Sequence, residues 1–260
     1  MEAGFGAPPL TYKKQRWLIA IKYAMLTQPG NRDVNEDSAI IIERGGNWCF
    51  VVADGLGGHG KGEIASQTVV ATFERELSPD EQSAAGFLGR AFAAAQDSVT
   101  DKQKAMGARF EMKTTAVALA IINGKCAWGH VGDSRLYMFN KNKIQTRTLD
   151  HSVPQMLALS GEIREKKIRG HPDRNMLLRA IGVQWDSPMY EVSDEADASG
   201  CQAFLLCSDG FWELIDEKHM RDSLKKQRGA EDWLRSMAGE VEKNGAGRDM
   251  DNYTAITVTL

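Results

Sequence analysis

Two hydrophobic runs in the chain end in the dipeptide Asp-Gly: Phe50-Val51-Val52-Ala53-Asp54-Gly55 and Phe204-Leu205-Leu206-Cys207-Ser208-Asp209-Gly210. Each reads as a buried strand that stops at a carboxylate. The glycine that follows lets backbone oxygen or a ligand come close. Two carboxylates brought together by a fold make a site for hard divalent cations. Metal pairs of that kind hydrolyse phosphate esters. Further acids stand near turns: Glu36-Asp37 before a strand, Asp133 in Gly132-Asp133-Ser134-Arg135, and Asp251 before the last strand. Arg32 lies four residues before Glu36, and a guanidinium can fork onto two phosphate oxygens where an ammonium cannot. Taken singly, each of these acids is an ordinary turn residue. Arg135 is most simply the partner of a carboxylate.

The segment after Asp54 carries five glycines in eight positions, Gly55 to Gly62. A hairpin needs two turn residues, so this loop brings backbone close to something else. It is not a Walker A loop, because Lys61 is followed by Gly62 rather than Ser or Thr. Nor is it a dinucleotide loop, because an antiparallel meander follows. His59 is the one histidine inside this loop, placed to act as an acid toward a leaving alkoxide. His130 reads as a core residue and His219 as a surface one. No GxSxG elbow is present, and no cysteine stands beside a basic residue in an exposed loop. Oxygen-ligand metal chemistry remains.

The elements that must position these residues follow from periodicity and turn signals. Strands are expected at Trp17–Met25, Ser38–Glu43 and Trp48–Ala53, the last two joined by a turn at Gly45-Gly46-Asn47. A helix from about Glu63 presents Ile64, Ala65, Thr68, Val69, Thr72, Phe73 and Leu77 at a 3.6-residue period. An alanine-rich helix spans about Asp80–Lys104. Thr115–Ile122 and Lys125–Val131 flank Asn123-Gly124, whose residues suit a type I′ turn. Strands at Arg135–Phe139 and Lys143–Thr148 continue the meander. The charged stretch from about Asp150 to Gly182 reads as a short helix plus an irregular, mobile segment. Helices at about Asp216–Gln227 and Ala230–Lys243 precede a final strand, Tyr253–Thr259. This order implies an α+β fold of two packed antiparallel β-sheets flanked by pairs of helices.

The 260 residues allow one large domain or two small ones. Net charge is −3 with no basic block, which argues against nucleic acid as partner. No apolar run approaches the ~20 residues of a membrane span; the longest, Ala116–Ile122, is strand length. The four cysteines form no CxxC pair and read as thiols in a reducing compartment. The N-terminus lacks the pattern of a signal peptide. A cytoplasmic location is therefore expected, with residues 1–12 as a flexible tail.

Joined in order, these segments resemble the metal-dependent serine/threonine protein phosphatases of the protein phosphatase 2C type. The matching residues are Arg32-Asp33-Val34-Asn35-Glu36-Asp37, Ala53-Asp54-Gly55-Leu56-Gly57-Gly58-His59-Gly60-Lys61-Gly62-Glu63, Lys113-Thr114-Thr115, Gly129 to Arg135, Ser208-Asp209-Gly210 and Asp251-Asn252-Tyr253-Thr254. The glycine-rich second segment is similar to the bacterial branch. The resemblance implies a single catalytic domain over 13–260, with a flap at about 150–185. It implies two Mn²⁺ or Mg²⁺ ions, bridged by Asp54 and held further by the Gly55 carbonyl, Asp209 and Asp251, with Glu36 or Asp37 contributing directly or through water. Asp133, with Asp209, matches positions that hold a third, weaker ion in similar bacterial enzymes. Arg32 would bind phosphate and His59 would serve as acid, although in many relatives histidine directly follows Asp-Gly, where Leu56 stands here. The implied reaction is hydrolysis of phosphoserine and phosphothreonine esters on proteins by a water activated between two metals. A monomer acting on the substrates of a serine/threonine kinase is expected. The alternatives are a two-metal phosphoesterase for small molecules and a catalytically silent phosphoprotein-binding module.

Overall fold

The structure is a computed structural model that describes residues 20–57, 61–108, 111–226 and 228–260. In chain order the strands are β1 (Lys22–Gln28), β2 (Asp37–Arg44), β3 (Asn47–Leu56), β4 (Lys113–Thr114), β5 (Ala116–Ile122), β6 (Lys125–Val131), β7 (Arg135–Asn140), β8 (Lys143–Arg147), β9 (Glu191–Val192), β10 (Ala196–Asp197), β11 (Ala203–Cys207) and β12 (Tyr253–Thr259). The helices are α1 (Lys61–Glu76), α2 (Ala84–Met106), α3 (Val153–Leu159), α4 (Asp209–Trp212), α5 (Glu217–Lys226) and α6 (Ala230–Gly245). One sheet runs β1-β12-β11-β7-β8; the other runs β10-β6-β5-β3-β2, with β4 on β3 and β9 on β6. Every pairing is antiparallel.

Side-chain alternation along strands buried on both faces accounts for the layers. Phe50 and Val52 of β3, Val117 and Leu119 of β5, Phe204 and Leu206 of β11, and Ile256 and Val258 of β12 meet between the sheets. The intervening residues Cys49, Val51, Ala53, Ala116 and Ala118 face α1 and α2, where Phe73 and Phe92 meet edge to face at 5.1 Å. On the other side Tyr137, Phe139, Leu205 and Ala255 pack against α5 and α6, with the Trp233 ring edge-on to Phe139 at 5.2 Å. The expected α+β sandwich of two antiparallel sheets flanked by helix pairs is the observed one.

Turn chemistry sets the hairpins. Asn123 and Gly124 have φ of 51° and 76°, and Gly45 and Gly46 have 61° and 82°, the positive values a type I′ turn requires. Several boundaries differ from the sequence expectation. The first strand lies further along, at Lys22–Gln28, because it pairs with β12 as far as Gln28 opposite Tyr253; residues 17–19 lie outside the described residues. Helix α2 begins at Ala84, not Asp80, because Ser83 caps it, its Oγ accepting the Gly86 N–H at 2.9 Å. The stretch from 150 to 182 holds the expected short helix, α3; past its end come the two short strands β9 and β10, too brief to leave a pattern. This stretch is tied down at several points: Arg169 reaches Glu217 at 2.7 Å and Arg174 reaches Glu213 at 3.0 Å.

Candidate metal centre

The two Asp-Gly dipeptides occupy different elements. Asp54 lies inside β3, which continues through Gly55 and Leu56 because these pair with Thr114 and Lys113 of β4. The Asp54 carbonyl accepts from Thr115 N and from Thr114 Oγ1, both at 2.8 Å. Asp209, by contrast, opens the one-turn helix α4 after β11 has ended at Cys207. Both glycines are required by close backbone approach. A Cβ on Gly55 would meet the Gly62 carbonyl at 2.4 Å and Glu36 O at 2.6 Å; one on Gly210 would meet Asn252 O at 2.1 Å.

Acids from five parts of the chain gather at one end of the sandwich. A cleft of about 450 Å³ is lined by Arg32, Glu36, Asp54, Gly55, Asp133, Asp209, Asp251 and Asn252, among others. Asp37 lies behind this wall, directly opposite Asp54 on the neighbouring strand. Its Oδ2 accepts from Ser208 Oγ at 2.7 Å, and its buried Oδ1 has no hydrogen-bond partner among the described residues. Asp133 is buried; its carbonyl accepts from the indole N–H of Trp212 at 3.0 Å. Arg32 is half-exposed on the rim. Its Nε and Nη2 donate to the two oxygens of Asp251, each at 3.1 Å. His59 lies outside the described residues.

The electrostatics are those of crowded acids with too little counter-charge: Arg32 pairs with Asp251, and Arg135 and Arg174 only partly offset Asp133 and Asp209. Burial pushes the Asp54 and Asp133 carboxyls well above the usual range, and the Asp209 charge raises both further. Asp209 is raised by burial and by Asp251. Burial raises Glu36 as well, against a backbone hydrogen bond from Gly62. Asp37 is pushed up to about 7, chiefly by burial. Carboxylates this close and this dry are stable together only when protonated or when cations sit among them. The donors are all oxygen, which suits Mn²⁺ and Mg²⁺. The unpartnered Asp37 Oδ1 is a further unmet demand of the same sign. The residues present fit a divalent metal centre.

Sequence reasoning placed Asn252 and Ser208 within the matching segments but gave no role to these groups, which brace the acids. Asn252 is the main one: Oδ1 accepts from Glu36 N at 2.8 Å, while Nδ2 donates to Pro29 O at 2.9 Å and Val34 O at 3.0 Å. One amide thus fastens the turn bearing Arg32 and Glu36 to the start of β12. Ser208 donates to Asp37 and accepts from Thr254 N at 3.0 Å. Asn175 and Leu177, from the expected flap, line the cleft. The predicted carboxylate partner of Arg135 is Asp150, gripped at 2.7 and 2.6 Å in a fully buried pair.

A two-sheet sandwich with an acidic, cation-seeking cleft and a guanidinium at its rim defines a metal-dependent phosphoester hydrolase. Known proteins agree. The Protein phosphatase 2C family profile matches residues 30–253. The serine/threonine phosphatase stp of Listeria welshimeri is 32% identical over 213 residues, which cover 76% of this chain and 80% of that protein. The serine/threonine protein phosphatase PstP of Mycobacterium tuberculosis is 28% identical over 94% of this chain; the match spans only 46% of that longer protein. Its crystal structure superposes with a TM-score of 0.79 at 26% identity, covering 92% of this chain and 98% of that one. A PstP catalytic domain in complex with two manganese ions superposes at a TM-score of 0.77 and 25% identity, over 92% and 97%. The chain belongs to the protein phosphatase 2C family. It is a metal-dependent protein serine/threonine phosphatase.

Proposed function

We propose that Asp54, the Gly55 carbonyl, Asp209 and Asp251 hold two Mn²⁺ or Mg²⁺ ions in this cleft. Glu36 contributes from the same wall and Asp37 from behind it; Asp133, with Asp209, offers a third, weaker position. When bound, the ions supply a water acidic enough to be hydroxide near neutral pH and neutralise charge on the phosphoryl oxygens. The residues of the chain do the rest. Arg32, which grips Asp251 through both oxygens, exchanges this carboxylate for two oxygens of the phosphoryl group when substrate enters. Asn252 holds Glu36 and the Arg32 turn in register with Asp251. His59 protonates the departing serine or threonine alkoxide.

The observation that carries this reading is the convergence of Glu36, Asp54, Asp133, Asp209 and Asp251 with Arg32 around one cleft. Residues 13–260 act as one catalytic unit, with 150–185 as the segment that selects phosphoprotein substrates, because loops on a fixed scaffold carry specificity. No helix among the described residues is long and apolar enough to cross a membrane. We place the chain in the cytoplasm as a monomer, acting on proteins phosphorylated by a serine/threonine kinase.

The test is turnover of a phosphothreonine peptide with millimolar Mn²⁺. Activity should be nearly lost in Asp209→Asn. Arg32→Ala should raise KM about tenfold or more, and Arg32→Lys should not restore it, because an ammonium cannot fork. A purified, folded chain that turns over nothing with any divalent ion would refute the assignment.

A further inference from the structure

Cys126 on β6 and Cys201, in the turn between β10 and β11, bring their Sγ atoms to 3.8 Å. The approach is built by the chain path. Ala196 of β10 pairs with Cys126, and a single helical turn over 198–200 then returns the chain, Cys201 N donating to Ala198 O at 2.9 Å. The two thiols are unlike. Cys126 is fully buried in the core between the sheets, whereas Cys201 is partly exposed beside exposed Ser199 and Gly200. The remaining cysteines, Cys49 and Cys207, are fully buried on the outer faces of the two sheets.

We propose that Cys126 and Cys201 form a peroxide-reactive dithiol that closes to a disulfide. The contact between the two thiols, in which either can donate, lowers the pKa of Cys201 and raises that of Cys126. That places the nucleophilic thiolate on the accessible partner. Its sulfur attacks one oxygen of hydrogen peroxide and the O–O bond breaks. Cys201 becomes a sulfenic acid, and hydroxide leaves with the proton of the Cys201 thiol as water. Cys126 Sγ then attacks the Cys201 sulfur. The S–S bond forms, the S–O bond breaks, and the hydroxyl leaves with the Cys126 proton as a second water. Two thiols are oxidised by two electrons and one peroxide is reduced to two waters.

The sulfurs must close from 3.8 Å to about 2.05 Å. The two-residue strand β10 and the turn at Gly200, with nothing within 4 Å of where its Cβ would stand, can supply that movement. The bond would clip the β10 turn onto β6 at the Asn123-Gly124 end of the sheets. Asp54 and its cleft lie at the other end, so the bond spares the catalytic centre. In a reducing compartment such a disulfide is transient and reports oxidant.

The test treats the folded, reduced chain with hydrogen peroxide, quenches with acid, and counts thiols after denaturation. Titratable thiols should fall from four to two, and peptide mapping should find residues 126 and 201 linked within one chain. Dithiothreitol should reverse both changes, and phosphatase activity should be retained. Cys201→Ser should abolish the link. Cys126→Ala should leave a sulfenic acid on Cys201 that dimedone traps. A link through Cys49 or Cys207, a link between two chains, or peroxide oxidation of Cys201 in the unaltered chain with no bond to Cys126 would each overturn the proposal.

Discussion

Asp37 and Asp54 face each other at one register position of the antiparallel pair β2 and β3. Like charges directly opposite on paired strands repel, and here Asp37 is also buried and Asp54 half-buried. Ser208 Oγ, reaching across from the other sheet, satisfies one Asp37 oxygen at 2.7 Å, which still leaves Oδ1 without a partner among the described residues. The arrangement is unfavourable for the polypeptide alone and favourable around divalent cations. Strain of this kind, at one end of a well-packed sandwich, is what marks the cluster as the proposed metal centre.

Replacing one member of that pair should therefore separate stability from activity. Asp54→Asn keeps the shape and removes a charge. In chelator, its melting temperature should rise by about 2–4 °C, corresponding to roughly 1 kcal/mol of relieved repulsion. Turnover with Mn²⁺ should fall at least ~100-fold. Paired melts with and without Mn²⁺ check this, since the unaltered chain should gain stability from the ion and Asp54→Asn should gain little. A variant less stable than the parent in chelator would show that Asp54 is held by the fold rather than repelled.

The same cluster sets a pH dependence. Asp37 titrates at about 7 in the folded chain, raised chiefly by burial against the hydrogen bonds of Thr254 and Ser208, and near 3.9 when unfolded. A carboxyl raised in this way contributes its stability in full below about pH 4, where both states are protonated. The contribution is lost as pH rises through about 7, because only the unfolded chain ionises freely. Metal-free protein should lose stability from about pH 4 to 7, by at most about 4 kcal/mol from this group. Asp37→Asn should flatten that slope. With Mn²⁺ the trend should reverse, because cations bind the ionised carboxylates and expel protons. Urea unfolding across this pH range, with and without the metal, measures both slopes.

Gly210→Ala should damage the centre without touching an acid. The new Cβ would lie 2.1 Å from Asn252 O, so α4 and the start of β12 must separate. Asp209 and Asp251 sit on the two sides of that contact. Mn²⁺ affinity and turnover should each drop about tenfold or more, as losses of supporting contacts around metal sites do. Gly200→Ala, where nothing lies within 4 Å, serves as the neutral control. Titration of activity against Mn²⁺ distinguishes the two.

The buried pair Arg135–Asp150 should behave as a unit. The guanidinium lies 3.4 Å over the Trp212 ring and donates to Tyr137 Oη at 3.0 Å, besides gripping Asp150. Asp150→Ala strands a buried cation and should cost about 3–5 kcal/mol. Arg135→Met combined with Asp150→Leu should recover most of that loss, since an apolar replacement leaves no charge unpaired. Denaturant unfolding of the two singles and the double variant measures the coupling. Additive losses would show that the ion pair is not the dominant contact of either residue.

How much of this was legible in the sequence depends on the range of the interaction. The Asn123-Gly124 turn, the 3.6-residue face of α1 and the period of the core strands are local, and they read correctly because backbone sterics and alternation act over a few residues. Asp54 and Asp209 stand out because each follows an apolar run; Glu36, Asp37, Asp133 and Asp251 read singly as turn residues and are joined to them only by the family resemblance. The end of β3 falls at Leu56, beyond the expected Ala53, since its extension depends on pairing with β4, in the register Gly55 to Thr114 and Leu56 to Lys113. Asn252 stood in a matching segment, but its bracing role carried no local signal, because its three hydrogen bonds reach residues more than two hundred positions earlier.

By itself, then, the sequence determined the chemical types: acids that suit hard cations, a guanidinium able to fork onto two oxygens, glycines where backbones must meet, and strands buried on both faces. Only the tertiary structure decided which groups meet and in what order of depth. It set Glu36 on the cleft wall and Asp37 behind it, Arg32 on Asp251, Arg135 on Asp150, and Cys201 within 3.8 Å of Cys126. The reason is register. A slip of one residue between paired strands turns every side chain to the opposite face, so proximity across strands distant in sequence exists only once the sheets have paired and packed.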